Sequence, residues 1–391
     1  MNNHSGTLEG VTVIDFTSMM AGPYGTRILA DCGARVIKIE AETGDYMRYR
    51  SPIRDGRSAY YGQMNSGKES IALDLKNPRG RQIAHDLIRG ADVVVENYRP
   101  GVMKSLGLSY DELKASCPRL IYCSISGFGQ SGKRARDPAY APIIHAASGY
   151  DMAHMTYNSH LERPQMTGIF NADAFAAVYA FGAIQSALYH RERFGAGQHI
   201  DVNLIDTMLN LLVYECQEAQ FEVTQKRPLY QPLKASDGFV MVAPVNQKNF
   251  ENLADVVGRP EWKTDARFCT NNAREHHWQE LMDLLEEWTI QRTAQQCEDI
   301  LMKAGVPSSR YATVADLFAD AEMQARGSFT EISDHSGSYR IPVQPFRFSQ
   351  AAVVSRQHVA DVGEDTDAIL RDMLNLSADA IAEARASGAV F

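Results

Sequence analysis

The 391-residue chain has no C-x-x-C pair, no apolar run long enough to span a bilayer, no excess of positive charge, and no internal repeat or low-complexity tract. Each absence removes a class of function. Cys32, Cys117, Cys123, Cys216, Cys269 and Cys297 are scattered, and no histidine stands at zinc-ligand spacing from any of them. No metal site or disulfide scaffold is therefore indicated, and the thiols read as the reduced cysteines of a cytoplasmic protein. The most apolar stretch, Ala174 to Tyr189, is too short for a bilayer and runs into "HRER", so it reads as a buried helix and no membrane partner is expected. The opening "MNNHSGTLEG" lacks the cationic-then-apolar pattern of a secretory signal. With 39 basic against 48 acidic residues the net charge is −9, which argues against a nucleic-acid partner, because such proteins need a basic face to displace counterions from phosphates.

What is present is enough for a large core. Hydrophobic residues make up 45% of the chain and charged residues 22%, the balance of a globular protein of about two domains at this length. The first third alternates β-branched runs with helical patterns: "VTVIDF", "YGTRILADCGA", "RVIKIE", "SIALDL", "PRGRQIAHDLIRGA", "DVVVENY" and "RLIYCSIS". Runs that apolar cannot be half-exposed, so the pattern predicts a parallel sheet covered by helices, an α/β doubly wound domain. After a helix over 173–190 come a short strand and a second long helix ending near Val223. The texture then changes at "RPLYQPLKASDGFVMVAPV", where a hairpin-like turn at Ser236–Gly238 is followed by helical patterns. The expected organisation is a large domain over 1–200 and 330–391, a helical linker over 201–224, and a smaller α+β domain over 225–325. The large domain ends on a strand-like "GSYRIPVQPFRFS" and a terminal helix pair.

Three clusters fall at successive strand ends, where open α/β sheets bind ligands. "DFTSMMAGPYG" joins a strand to a helix through small residues, which lets backbone amides face a carbonyl or phosphate. "NSGKESIALDLKNP" sets Lys68 before a strand and Lys76 after it, and "ENYRPG" sets Asn97, Tyr98 and Arg99 at another strand's end. Each alone reads most simply as a solvated charge. The literal G-x-G-x-x-G of Gly127, Gly129 and Gly132 is followed by "KRARDPAYAP", whose prolines block the helix a nicotinamide cofactor needs. His145, in the apolar run "PIIHAASG", reads either as a satisfied core histidine or as an active-site group. Asp173 heads the long apolar helix, and two readings stay open: an N-cap, or an ionised nucleophile favoured by the helix dipole.

The blocks "LEGVTVIDFTSMMAGP", "GARVIKIE", "NSGKESIALDLK", "DVVVENYRPGVMKSLGLSYDEL", "PRLIYCSISGFGQSG" and "ALYHRERFGAGQHIDVNLIDTML" together resemble the family III CoA-transferases, the group of formyl-CoA and carnitine CoA-transferases. The resemblance implies a Rossmann-like large domain, an interlocked ring-like homodimer, and an aspartate nucleophile that matches Asp173, ahead of His190 and Arg191. It implies CoA contacts at Met19, Met20, Ala21, Leu73, Lys76, Asn97 and Tyr98. Two basic family positions fall on Ala41 and Ser105, so Arg48, Arg99 and Lys104 are the substitutes expected for the CoA phosphates. The racemases of this fold use a histidine and an aspartate that fall here on Tyr140 and Ala141, which argues against racemisation. The layout is similar to the branch that moves CoA from succinyl-CoA to a C4 or C5 dicarboxylate such as itaconate, mesaconate or citramalate. Arg48, Arg50, Tyr140 and His145 are its substrate candidates, and no bound cofactor beyond the CoA thioester substrate is implied. The alternatives are a formate- or oxalate-type transferase, an acyl-CoA racemase, an NAD-dependent oxidoreductase, or a noncatalytic CoA-binding protein.

Overall fold

A computed structural model describes residues 5–158, 160–165, 167–223 and 228–391. The chain has a mixed α/β fold built on a parallel central sheet and divides into two compact units, 1–217 with 325–391, and 218–324.

In the first unit the strands are β1 Thr12–Asp15, β2 Arg35–Glu40, β3 Glu69–Ala72, β4 Val93–Glu96, β5 Ile121–Ser126 and β6 His199–Asn203. They pair in the order β3-β2-β1-β4-β5-β6, every pairing parallel. Successive residues of a strand point to opposite faces, and here both faces are apolar. Val13, Val36, Val93, Val95, Ile121 and Cys123 face one core with helices α1 Ala21–Asp31 and α4 Asn171–Phe194. Ile14, Ile37, Ile71 and Val94 face the other, with α2 Pro78–Arg89 and the terminal helices Thr366–Leu374 and Ala378–Ala386. This double coverage is why the strands read as continuous hydrophobic runs. Gly25 lets α1 approach α4 closely, since a Cβ there would stand 3.1 Å from the carbonyl oxygen of Ala177.

Helix α3 Ala141–Ala147 precedes α4, and α5 Leu204–Leu211 follows β6. The expected linker over 201–224 is therefore mostly part of the large unit: β6 is a sheet strand, and Leu204 and Met208 are buried in its core. The single long helix expected to Val223 is two short ones, Leu204–Leu211 and Val213–Glu218, divided at Leu212, which departs from helical backbone at φ −86° and ψ 57°. A C-terminal hairpin, β7 Phe329–Asp334 and β8 Gly337–Pro342, packs Ile332 and Ile341 against Met47 and Tyr61.

The smaller unit has its own core of Leu233, Val240, Phe250, Leu281, Leu285 and Leu301. Its three antiparallel strands, Leu233–Lys234, Phe239–Val242 and Ser308–Arg310, carry helices Gln247–Val256, Trp278–Thr289 and Ala294–Lys303. A turn over 235–238 closes on an Ala235 N–H bond to the Gly238 carbonyl at 2.8 Å.

Candidate active site

The sheet's order reverses between β1 and β4, and a crevice opens at their carboxyl ends. Its floor is the turn Thr17–Ser18–Met19 between β1 and α1. Buried Asp15 accepts from the Thr17 N–H at 2.8 Å and from the Thr17 hydroxyl at 2.5 Å. Lys38 Nζ donates to the Thr17 carbonyl at 2.6 Å and to Asp45 at 3.1 Å, and Lys68 Nζ donates to Asp15 at 3.0 Å. Burial pushes the Asp15 carboxyl up, but Lys68, Lys38 and the Thr17 and Thr26 hydroxyls outweigh it and hold it at about 2. Burial draws Lys68 down to about 8 against the pull of Asp15.

Asn97 grips the same turn from β4's end, accepting from the Ser18 N–H at 2.9 Å and donating to the Ser18 carbonyl at 2.8 Å. Met19 N–H donates to Asp45 at 3.3 Å. Between these clamps Met19 is held at φ 68°, a left-handed conformation that costs a non-glycine residue about 1 to 3 kcal/mol and gathers at functional sites.

Asp173 looks onto this turn from α4. The helix begins at Asn171 with Phe170 as its cap residue, so Asp173 lies in the first turn and is not the N-cap. Among the described residues no group donates a hydrogen bond to its carboxylate, and burial alone raises it from 3.8 to about 6. The histidine supplies the cap instead. His145, buried on α3, accepts the Ala172 N–H on Nε2 at 3.1 Å.

Two cavities meet at Asp173. Ser18, Met19, Tyr140 and Asp173 line both. The first, about 240 Å³, runs along the strand ends past Ala21, Asn97, Tyr98, Arg99, Ser126 and Gly127. Ser126 Oγ is buried there without a hydrogen-bond partner among the described residues. Gly127 has no room for a side chain, because a Cβ would come 2.3 Å from that of Ala139. The second, about 640 Å³, is walled by Met20, Tyr46, Met47, Arg50, Tyr60, Pro142 and Phe170. Arg50 is the one Lys or Arg among its described lining residues; it stacks 4.1 Å over Tyr46 and has no carboxylate partner among the described residues. Tyr60 is close enough to Asp173 that the carboxylate adds to burial in raising its phenol.

The structure thus gathers Met19, Met20, Ala21, Asn97, Tyr98, Arg99, Arg50, Tyr140 and Asp173. Lys104 lines an adjoining cavity of about 280 Å³ that shares Arg99 and Pro100. Four other expected residues are elsewhere. Arg48 forms a bidentate pair with Glu40, at 2.9 and 2.6 Å, and donates to the Ala360 carbonyl, so its donors are engaged away from Asp173. Leu73 is core, Lys76 is exposed outside these cavities, and His145 faces the α4 backbone. Tyr46, Tyr60 and Ser126 were not legible as site residues, although Ser126 has the telltale place of a polar residue between a strand end and a glycine turn. The glycine loop after β5 does not lead into a helix, and Gln130 N–H instead donates to Asp201 at 2.8 Å. Among the described residues no three His, Cys, Asp or Glu side chains are grouped to hold a metal ion, and no helix is long and apolar enough to cross a membrane.

The model of CoA-transferase family III matches residues 8–366. The chain is 38% identical over 354 residues to an acetyl-CoA:oxalate CoA-transferase of Acetobacter aceti, covering 88% of this chain and 90% of that one. It is 32% identical over 399 residues to a succinate–glutarate CoA-transferase of Agrobacterium fabrum, covering 95% and 98%. Among solved structures, a CAIB/BAIF family protein from Brucella suis aligns with a TM-score of 0.81 and 36% identity over 94% of this chain and 100% of that chain.

Proposed function

The chain belongs to CoA-transferase family III and is an enzyme that transfers CoA; from that premise we propose that it moves CoA from succinyl-CoA to a free C4 or C5 dicarboxylic acid through a thioester on Asp173. The acceptor is of the itaconate, mesaconate, citramalate or glutarate type. One observation supports this reading: a carboxylate without a hydrogen-bond donor among the described residues, at about 6 and so ionised at neutral pH, stands where two cavities meet.

The Asp173 carboxylate attacks the succinyl-CoA carbonyl, breaking the C–S bond to give a mixed anhydride and CoA thiolate. The thiolate then attacks the aspartyl carbonyl, releasing succinate and leaving an aspartyl-CoA thioester. The acceptor carboxylate attacks that thioester and expels CoA thiolate again. The thiolate closes the cycle on the acceptor's acyl carbon, which frees Asp173. The thioester on Asp173 splits the exchange into two half-reactions, so that the donor acid leaves before the acceptor reacts. A desolvated carboxylate with no competing hydrogen bond is a better nucleophile than a solvated one.

The narrow cavity along the strand ends suits the pantetheine arm, with Arg99 and Lys104 toward the phosphates. The wide one suits the acid, with Arg50 paired to its distal carboxylate. A second reading, an oxalate-type acceptor, is favoured by the 38% identity to the oxalate enzyme; the 640 Å³ cavity supports the larger acid. The strand order supports the Rossmann-like reading of the large unit. The chain works as an interlocked homodimer, a reading supported by α4, which leaves Val178, Tyr179, Tyr189 and Phe194 exposed at 51%, 48%, 65% and 66%, an apolar face suited to a second copy. Six free cysteines support a cytoplasmic setting. Acceptors are tested by incubating the enzyme with succinyl-CoA and each acid, oxalate included, and identifying the new thioester by mass. Turnover of oxalate above every C4 and C5 acid would replace this acceptor class.

A further inference from the structure

Helix α4 needs its first turn held, because the leading N–H groups of any helix lack intrahelical partners. Its cap residue, Phe170, has no side-chain oxygen to supply one. The partner comes from α3: His145 Nε2 accepts the Ala172 N–H at 3.1 Å, one residue before Asp173. A backbone N–H can only donate, so this nitrogen carries the lone pair and the ring proton sits on Nδ1. The ring is 1% exposed, and burial lowers its pKa, with Asp151 opposing, in keeping with a neutral acceptor. A second contact stands beside the first. Tyr150 packs against the His145 ring at 5.2 Å between centroids, and its hydroxyl accepts from Asn171 Nδ2 at 2.6 Å. The segment carrying His145 and Tyr150 therefore holds the two residues that immediately precede Asp173.

We infer that His145 is the positioning residue of the transferase reaction: it touches neither substrate, and it fixes the carboxylate of Asp173 by anchoring the Ala172 N–H. The inference rests on the reading of Asp173 as nucleophile. Its consequence is a defect in the chemical step without a defect in binding, because neither cavity at Asp173 is lined by His145.

Three variants of the full chain separate the possibilities. His145→Gln reaches about as far as the imidazole Nε2 and offers an amide oxygen to the Ala172 N–H. His145→Asn is polar but ends short, and His145→Leu fills the space with no acceptor. The fraction of each protein that takes up a CoA-sized adduct from succinyl-CoA counts the competent sites, which removes misfolded molecules from the rates. With glutarate as acceptor, kcat per competent site is expected to fall about 10-fold in the Asn and Leu variants, with KM for succinyl-CoA within about twofold of wild type. The Gln variant is expected within about threefold of wild-type kcat. An Asn or Leu variant with wild-type kcat, or a Gln variant as slow as either, would overturn the inference, and so would a raised KM with kcat unchanged. No adduct on the wild-type chain sinks the Asp173 reading and this inference with it; a normal adduct with unaffected rates sinks this inference alone.

Discussion

Replacing Asp173 by asparagine is expected to stabilise the folded chain above neutral pH while it removes turnover. Burial raises the carboxyl from 3.8 to about 6, and no hydrogen bond among the described residues offsets that burial. At about 1.4 kcal/mol for each tenfold change in proton affinity, the rise from 3.8 to about 6 means that ionised Asp173 costs the fold about 3 kcal/mol. The sign follows from proton binding. Between 3.8 and about 6 the folded chain keeps a proton that the unfolded chain has lost, so the site's contribution to stability declines as pH rises through that window. Below it both states are protonated and the cost vanishes; above it the cost is complete. Asn has nearly the same shape and no charge to desolvate. Urea unfolding of wild type and Asp173→Asn should therefore show the variant ahead by about 2 to 3 kcal/mol at pH 8 and by only about 0.5 kcal/mol at pH 4. A variant no more stable at pH 8, or ahead by the same margin at both pH values, would refute the claim that the carboxylate is desolvated. The same titration governs the rate: kcat/KM for the acyl-CoA should fall about tenfold per unit as pH drops below about 6, since only the carboxylate attacks.

Other consequences follow from the walls and floor of the crevice. Arg50→Gln should raise KM about tenfold for a dicarboxylate acceptor and leave a monocarboxylate of equal length unchanged, read from initial rates; equal effects on both would remove Arg50 from acid recognition. Lys68→Met leaves Asp15 buried without the ammonium bonded to it, with Lys38 acting only through space, and should cost about 3 to 5 kcal/mol in urea unfolding. A loss under about 1 kcal/mol would mean that Lys38 alone satisfies Asp15.

Much of the frame was legible because its signals are local. The alternating buried faces of "VTVID" and "DVVVE" follow from the strand period, and the helix through Asp173 from an apolar run between "GIF" and a glycine. The expected start at Asp173 falls two residues inside the helix, which no side chain of its own caps; the acceptor is the imidazole of His145, 27 residues before Ala172 in the chain. Lys68 shows the same limit. As a sequence feature it is a solvated lysine before a strand, and only the pairing of β1, β2 and β3 brings it to Asp15, 53 residues away. Arg48 and Arg50 stand alike in the sequence as possible partners of a second carboxylate. Glu40, at the end of β2, engages Arg48, whereas Arg50 lines the wider cavity at Asp173. The break of the helix at Leu212 follows no glycine or proline, and nothing in the local sequence announces it.

If Asp173 becomes covalently joined to CoA, the intact mass of the protein after incubation with succinyl-CoA shows it directly. A CoA-sized adduct is expected on the wild-type chain, mapped to the peptide containing Asp173 and absent from Asp173→Asn. Turnover with no adduct under any quench, or an adduct of equal yield on the asparagine variant, would contradict it.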